Sequence, residues 1–123
     1  MIFITSSGLR SSNITPDYLL YASTKGALEQ FARILAKDLG RKGITVNAVA
    51  PGAVDTDFFR GDGKSEEFVQ LIANLHPLKR LPLAHEIAPL VAFLARDEAG
   101  WVNGQTIMVN GVSDNTWSLG DLI

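Results

Sequence analysis

Strand-like runs alternating with helix-like stretches predict an α/β fold built on a parallel sheet. Three observations carry this prediction. Met1-Ile-Phe-Ile4 is an apolar β-type run that passes into the small polar residues Thr5-Ser6-Ser7-Gly8. Ile44-Thr-Val-Asn-Ala-Val-Ala50 is a second such run, closed by Pro51-Gly52. Between them, Leu28, Phe31, Leu35 and Leu39 repeat at the spacing of one helix face.

The elements follow in order. The first strand runs out into a serine-bearing loop. The first helix starts near Thr15-Pro16-Asp17, with threonine as cap and proline in the first turn, and reaches about Leu39. Gly40 or Gly43 ends it. After the second strand and its Pro-Gly turn, Asp62 to Leu75 holds a short helix. Ser65 precedes Glu66 and Glu67, and Phe68, Leu71, Ile72 and Leu75 supply its apolar face. Pro77 stops that helix and Pro82 keeps Lys79 to Leu83 irregular. A second long helix is expected from about His85 to Arg96, with Pro89 in its first turns. Trp101 to Gly111 reads as a turn and a last strand, and Val112 to Ile123 shows no period.

Composition narrows the function classes. At 123 residues the chain fits one domain, and its 46% hydrophobic share is ordinary for a globular protein. A formal charge of -2, with only the short basic pairs Arg41-Lys42 and Lys79-Arg80, argues against a nucleic-acid partner. The absence of cysteine excludes disulfides and thiolate metal sites, and His76 and His85 lack ligand-spaced companions, so no metal is expected. The longest apolar stretch, Ile87 to Ala95, contains Pro89 and is too short to span a membrane. With no secretory leader visible, the expected location is the cytoplasm.

The chemistry-bearing pattern is Tyr21-Ala-Ser-Thr-Lys25, with Ser7 fourteen residues before the tyrosine. On a helix, positions i and i+4 share a face, so a phenol and an ammonium project into one space. An ammonium near a phenol favours the ionised form, which suits a phenol to exchange protons with a carbonyl oxygen. A serine hydroxyl nearby can hydrogen-bond that oxygen as charge develops on it. Ser6 is read as a structural loop serine, and Tyr18 as a residue packing near the site or at its rim. Asn47 is read as a brace for its strand end. Phe58, Phe59 and Trp101 are read as core or interface residues.

These segments, with Ile44 to Gly52 continuing to Thr56 and with Asn103-Gly104-Gln105 and Asn110-Gly111, stand in a telling order. The chain resembles the short-chain dehydrogenase/reductase family, the NAD(P)-dependent carbonyl reductases and alcohol dehydrogenases, from Met1 to about Gly111. The resemblance implies the C-terminal half of a Rossmann-like doubly wound parallel sheet, three strands with flanking helices. Residues 1–123 then form a single partial domain whose N-terminal dinucleotide-binding half is absent. Family members carry a Gly-rich turn and an Asn-Asn-Ala-Gly stretch in that half, and neither occurs here; Gly8 is isolated, and Gly61-Asp-Gly63 sits in a polar loop.

The resemblance implies Tyr21 as general acid, Ser7 as the group that orients and polarises the carbonyl, and Lys25 as support for Tyr21 and as ligand of the nicotinamide ribose. Tyr21, Lys25, Pro51, Gly52, Val54 and Thr56 become the cofactor-binding set: close backbone approach at Gly52, a backbone contact from Val54, a hydroxyl from Thr56 that also suits a helix cap. The implied reaction is reduction of a ketone with NADP(H) in preference to NAD(H). The Ser7 spacing and Pro16 resemble fungal polyhydroxynaphthalene reductases and point to a polyketide-type ketone; a 3-oxoacyl thioester is the alternative. A homo-oligomer, dimer or tetramer, is implied as well. Val112 stands where the family often has a second glycine, a position whose backbone shape a β-branched residue dislikes. The rival expectation is an inactive remnant that acts at most as an interaction module, because a strand edge at Ile2-Phe3-Ile4 would be exposed.

Overall fold

The computed structural model describes residues 1–11, 14–61 and 63–112. The apolar run near the N-terminus forms β1, Ile2–Ile4, and the second forms β2, Asn47–Pro51. Thr106–Val109 forms β3. The sheet order is β1-β2-β3 with both pairings parallel, Phe3 opposite Ala48 and Val49 opposite Ile107. The expectation of an α/β fold with three parallel strands therefore holds.

The helix after β1 is α1, Leu19–Gly40, entered through a 3₁₀ turn at Pro16–Tyr18. Thr15 has the extended backbone of a cap, yet its side chain makes no capping bond. Gly43, at φ +73°, takes the left-handed step that turns the chain back toward β2. The buried stripe of α1 differs from the expected leucine face. Ala32 and Ala36 are the buried residues, packed with Val46 and Ala48, while Leu35 and Leu39 flank them and Phe31 stays half exposed. Small residues lie at the centre because α1 crosses the sheet closely: a Cβ on Gly104 would already come 3.3 Å from the Ala36 methyl.

The opposite face of the sheet is covered by α4, Ala84–Leu94, whose Ile87 and Leu94 pack on Val49 with Ala99. Helices on both faces explain why Val46 to Ala50 are all buried. Pro89 is the sixth residue of α4, beyond the first turn; the backbone carbonyl it leaves without a helical donor belongs to His85, which is exposed and open to solvent.

Between β2 and α4 lie α2, Asp57–Arg60, and α3, Glu66–Asn74. Ser65 caps α3 as expected, its Oγ accepting from the Phe68 N–H at 3.2 Å. The inward face of α3 is Val69 and Ala73, with Ile72 and Phe59 alongside; Phe68 and Leu71 face out. Phe58 and Trp101, expected in a core or interface, are exposed, Trp101 completely. Asn47 braces the sheet as expected: its amide donates to Val102 O (2.7 Å) and its Oδ1 accepts from the Gln105 N–H (3.0 Å). Val112 adopts φ 59°, the left-handed shape anticipated for that position. The stretch from Ser113 onward lies outside the described residues.

Candidate functional site

All three strands end on one side of the sheet, the side where α/β folds of this kind gather their ligands. The segments that leave β1 and β2 there are the ones marked by sequence. After β1, Ser6 caps a 3₁₀ turn at Ser7–Arg10, its Oγ accepting from the Gly8 N–H at 3.2 Å. Ser6 is thus structural, and Ser7 is buried at the head of the turn.

What holds this turn against α1 is a contact that the sequence pattern did not single out. Arg10 donates two hydrogen bonds to the Glu29 carboxylate, at 3.0 and 2.9 Å. Thr5 Oγ1 reaches both Val49 O (3.2 Å) and Glu29 (3.4 Å). Glu29 follows Lys25 by four residues, as Lys25 follows Tyr21, so the three side chains form one row along α1. Two members of the row meet the exit of β1: Glu29 takes Arg10 and Thr5, and Lys25 Nζ donates to the Ile4 carbonyl at 2.8 Å. Tyr21 lies at the helix's open end. The signal for Glu29 was available as an i, i+4 continuation, but nothing local pairs it with Arg10.

Lys25 Nζ sits 5.8 Å from the centroid of the Tyr21 ring, so phenol and ammonium do share a face. Tyr18 stacks its edge on Tyr21, with centroids 6.4 Å apart at 77°, and is itself half exposed. Among the described residues, no hydrogen bond engages the side-chain hydroxyl of Ser7 or of Tyr21.

After β2, the run Pro51 to Thr56 is half-buried throughout. A Cβ at Gly52 would come 3.2 Å from Asn110, so this glycine serves the close approach of the β2 and β3 exits. Val54 packs its side chain on the cluster around Val49 and Ile87, and its carbonyl accepts from the Thr56 hydroxyl at 3.3 Å. The same hydroxyl caps α2, accepting from the Phe59 N–H at 3.2 Å. Asp55 bridges to Leu83 and is chelated by the Arg60 guanidinium, which holds its carboxyl below the usual carboxylate range. Arg60 also reaches Glu66 at 2.7 Å and so ties α2 to the start of α3.

At the β3 exit, a cavity of ≈ 140 Å³ is lined by His76, Arg80, Pro82, Glu86, Ile87 and Val109 among others, and by none of Ser7, Tyr21 and Lys25. Arg80 chelates Glu86 at its rim with two bonds of 2.7 Å, and with the Leu83 N–H this pulls the Glu86 carboxyl down to about 2. No group of three or more metal-binding side chains occurs among the described residues. None of their helices is long and apolar enough to cross a membrane.

Comparison with known proteins matches residues 1–111 to the family described as Enoyl-(Acyl carrier protein) reductase. The chain is 48% identical over 111 residues to an "NADPH-dependent aldehyde reductase-like protein, chloroplastic" of Arabidopsis thaliana, covering 90% of this chain and 40% of that protein. It is 42% identical over 120 residues to "Versicolorin reductase stcU" of Emericella nidulans, covering 89% and 46%. Among solved structures, a short chain dehydrogenase family protein from Francisella tularensis superposes with a TM-score of 0.79 at 33% identity, covering 91% of this chain and 49% of that one. The angucycline C-6 ketoreductase LanV with bound NADP gives 0.79 at 34% identity, covering 91% and 42%. The chain thus spans less than half the length of these relatives.

Proposed function

The chain belongs to the short-chain dehydrogenase/reductase family, and from that premise we propose that it carries the proton-donating half of an NADP(H)-dependent ketone reductase. The observation that supports this is the Tyr21–Lys25 pair on one face of α1, beside the turn that Arg10 and Glu29 fasten with Ser7 at its head.

Tyr21 is the proton donor: its hydroxyl, not engaged elsewhere among the described residues, passes a proton to the carbonyl oxygen as negative charge builds there. Ser7 donates a hydrogen bond to the same oxygen and fixes its position. Lys25 supplies positive charge beside the phenol and a donor for the cofactor ribose. Donors of this kind fit the nicotinamide-ribose end of a dinucleotide, with the half-buried backbone of Pro51, Gly52 and Val54 and the Thr56 hydroxyl as its other wall. The nicotinamide, when bound, supplies the hydride to the carbonyl carbon. The chain has no Gly-rich turn for the diphosphate, so that contact comes from outside these 123 residues.

NADP is favoured because one relative is described as NADPH-dependent and one structural neighbour holds NADP. A polycyclic, polyketide-type ketone is favoured over a 3-oxoacyl thioester because the relatives include a versicolorin reductase and an angucycline ketoreductase. We place the protein in the cytoplasm as a homo-oligomer, dimer or tetramer, whose contact uses the exposed Leu19, Leu20 and Ile34 of α1.

A second reading, an inactive remnant acting as an interaction module, is favoured by the open outer edge of β1, where Ile4 is 44% exposed. Titration of the chain with NADPH, followed by cofactor fluorescence, separates the two. Saturable binding at micromolar levels supports the reductase; no binding supports the remnant. In any preparation that turns over, Tyr21→Phe should lower kcat by roughly 10²–10⁴-fold. A Tyr21→Phe variant with unchanged kcat would remove Tyr21 as the proton donor.

A further inference from the structure

One carboxylate closes the serine turn from both ends. The segment that leaves β1 runs Thr5-Ser6-Ser7-Gly8-Leu9-Arg10. Glu29 Oε1 accepts from the Thr5 hydroxyl at 3.4 Å and from Arg10 Nη1 at 3.0 Å, and Oε2 accepts from Arg10 Nη2 at 2.9 Å. Thr5 precedes Ser7 and Arg10 follows it, so both flanks of the serine converge on one side chain of α1. The turn has little else to hold it there. It is a short 3₁₀ turn, and the Leu9 N–H reaches the Ser6 carbonyl only at 3.4 Å. Its other bonds, Ser11 N–H to Gly8 O at 3.1 Å and Gly8 N–H to Ser6 Oγ at 3.2 Å, stay within the segment. Among the described residues no hydrogen bond engages the Ser7 hydroxyl, so its place follows the backbone of the turn.

We propose that Arg10 and Glu29 are positioning residues for Ser7: their fork sets where the serine hydroxyl stands relative to Tyr21, and so how well it meets the ketone oxygen. Neither residue touches the reacting atoms. The inference rests on the roles given above to Ser7 and Tyr21, and adds the device that registers one against the other. Glu29 belongs to the same helix and the same row as Tyr21, so a turn fastened to it shares a rigid frame with the phenol. The guanidinium meets the carboxylate with two bonds, which fixes direction as well as distance. The Arg10 side chain is 37% exposed and that of Glu29 15%. A pair this open to water on its arginine side adds little to overall stability, and what it contributes is geometry. Catalysis is sensitive to such placement: an error of about 1 Å can cost on the order of 10²-fold in rate.

The test pairs amide hydrogen exchange with NADPH-dependent turnover of α-tetralone, a bicyclic aromatic ketone. Glu29→Gln keeps the size of the side chain and an acceptor for Thr5 while removing the charge that Arg10 meets. Arg10→Gln breaks the same fork from its exposed side, where folding is least at risk. In the chain as it stands, either variant should make the Leu9 and Ser11 amides exchange about threefold faster or more, while the Ala48 and Gly52 amides keep their rates. Unchanged turn amides would overturn the proposal. So would an equal acceleration through the sheet, which would reduce the fork to a general stabilising contact. In turnover, each variant should lower kcat roughly tenfold with KM within about twofold. In a Ser7→Ala background the same change should cost almost nothing further, because an effect carried by Ser7 vanishes with it. A full loss in that background would show that the pair acts elsewhere, and would also overturn the proposal. A wild-type chain that binds no NADPH and leaves the ketone unreduced sinks the reductase reading instead, and exchange alone then decides whether the fork sets the serine turn.

Discussion

β1 and β2 are adjacent parallel strands with similar apolar sequences, and they meet their surroundings in opposite ways. β2 has a strand on each side and a helix on each face, and Ala48, Val49 and Ala50 have no exposed surface at all. β1 has a strand on one side only, and its open edge borrows a lysine to satisfy a carbonyl. The difference teaches where a strand is enclosed on both edges and where one edge is open. The side built from β2, β3 and α4 is a completed interior. Ser7, Tyr21 and Lys25 lie on the side with the open strand edge.

Three measurements sharpen the contrast. The largest effect is expected at Asn47, which is 1% exposed and holds the Val102 carbonyl and the Gln105 N–H. Asn47→Leu leaves two buried backbone groups without partners and should cost roughly 2–4 kcal/mol in urea unfolding. A loss under about 1 kcal/mol would mean that this end of β2 is wetter than its burial indicates.

Next comes the paired truncation of the two strands. Val49→Ala should cost about 2 kcal/mol, because a fully buried side chain leaves a cavity between sheet and α4. Ile4→Ala should cost less than about 1 kcal/mol, since much of that side chain already meets water. Equal losses would show that β1 is covered in solution, which points to an occupied edge.

The smallest effect lies in the pH profile. Arg80 and the Leu83 N–H hold the Glu86 carboxyl at about 2, against an ordinary 4.5. A depressed carboxylate stabilises the fold fully above its unfolded value, and the contribution fades as pH falls from 4.5 through 2. Thermal melting should therefore decline over that window, and Glu86→Gln should flatten part of the decline. An unchanged profile in that variant would assign the acid sensitivity elsewhere. The pair is exposed, so the change is expected to be modest.

The alternation of apolar runs and a helical repeat was sufficient to predict the element order, because strand and helix periods are local properties. The same locality made Tyr21 and Lys25 legible as neighbours, and Ser65 and Thr56 as caps. Glu29 stood in the same row, yet its partner Arg10 lies nineteen residues away and meets it only once the β1 exit folds onto α1. Asn103, which joins the start of β2 to the end of α1 through Val46 N–H and Ala36 O, was equally hidden. The inward faces of α1 and α3 were misjudged for one reason: size alone suggested that the leucines and phenylalanines go inside. Close crossing of helix on sheet instead admits Ala32 and Ala36, and a short α3 seats Val69 and Ala73.

By itself, then, the sequence determined the fold class, the parallel three-stranded order implied by family resemblance, and the i, i+4 placement of phenol and ammonium, all of which depend on backbone period and local spacing. Only the tertiary structure decided that Gly52 is small for the sake of Asn110, that Arg10 and Glu29 fasten the serine turn, and that Lys25 rests on the Ile4 carbonyl. Those facts depend on which residues distant in the chain are brought within a few ångströms, and on which strand is left with an open edge.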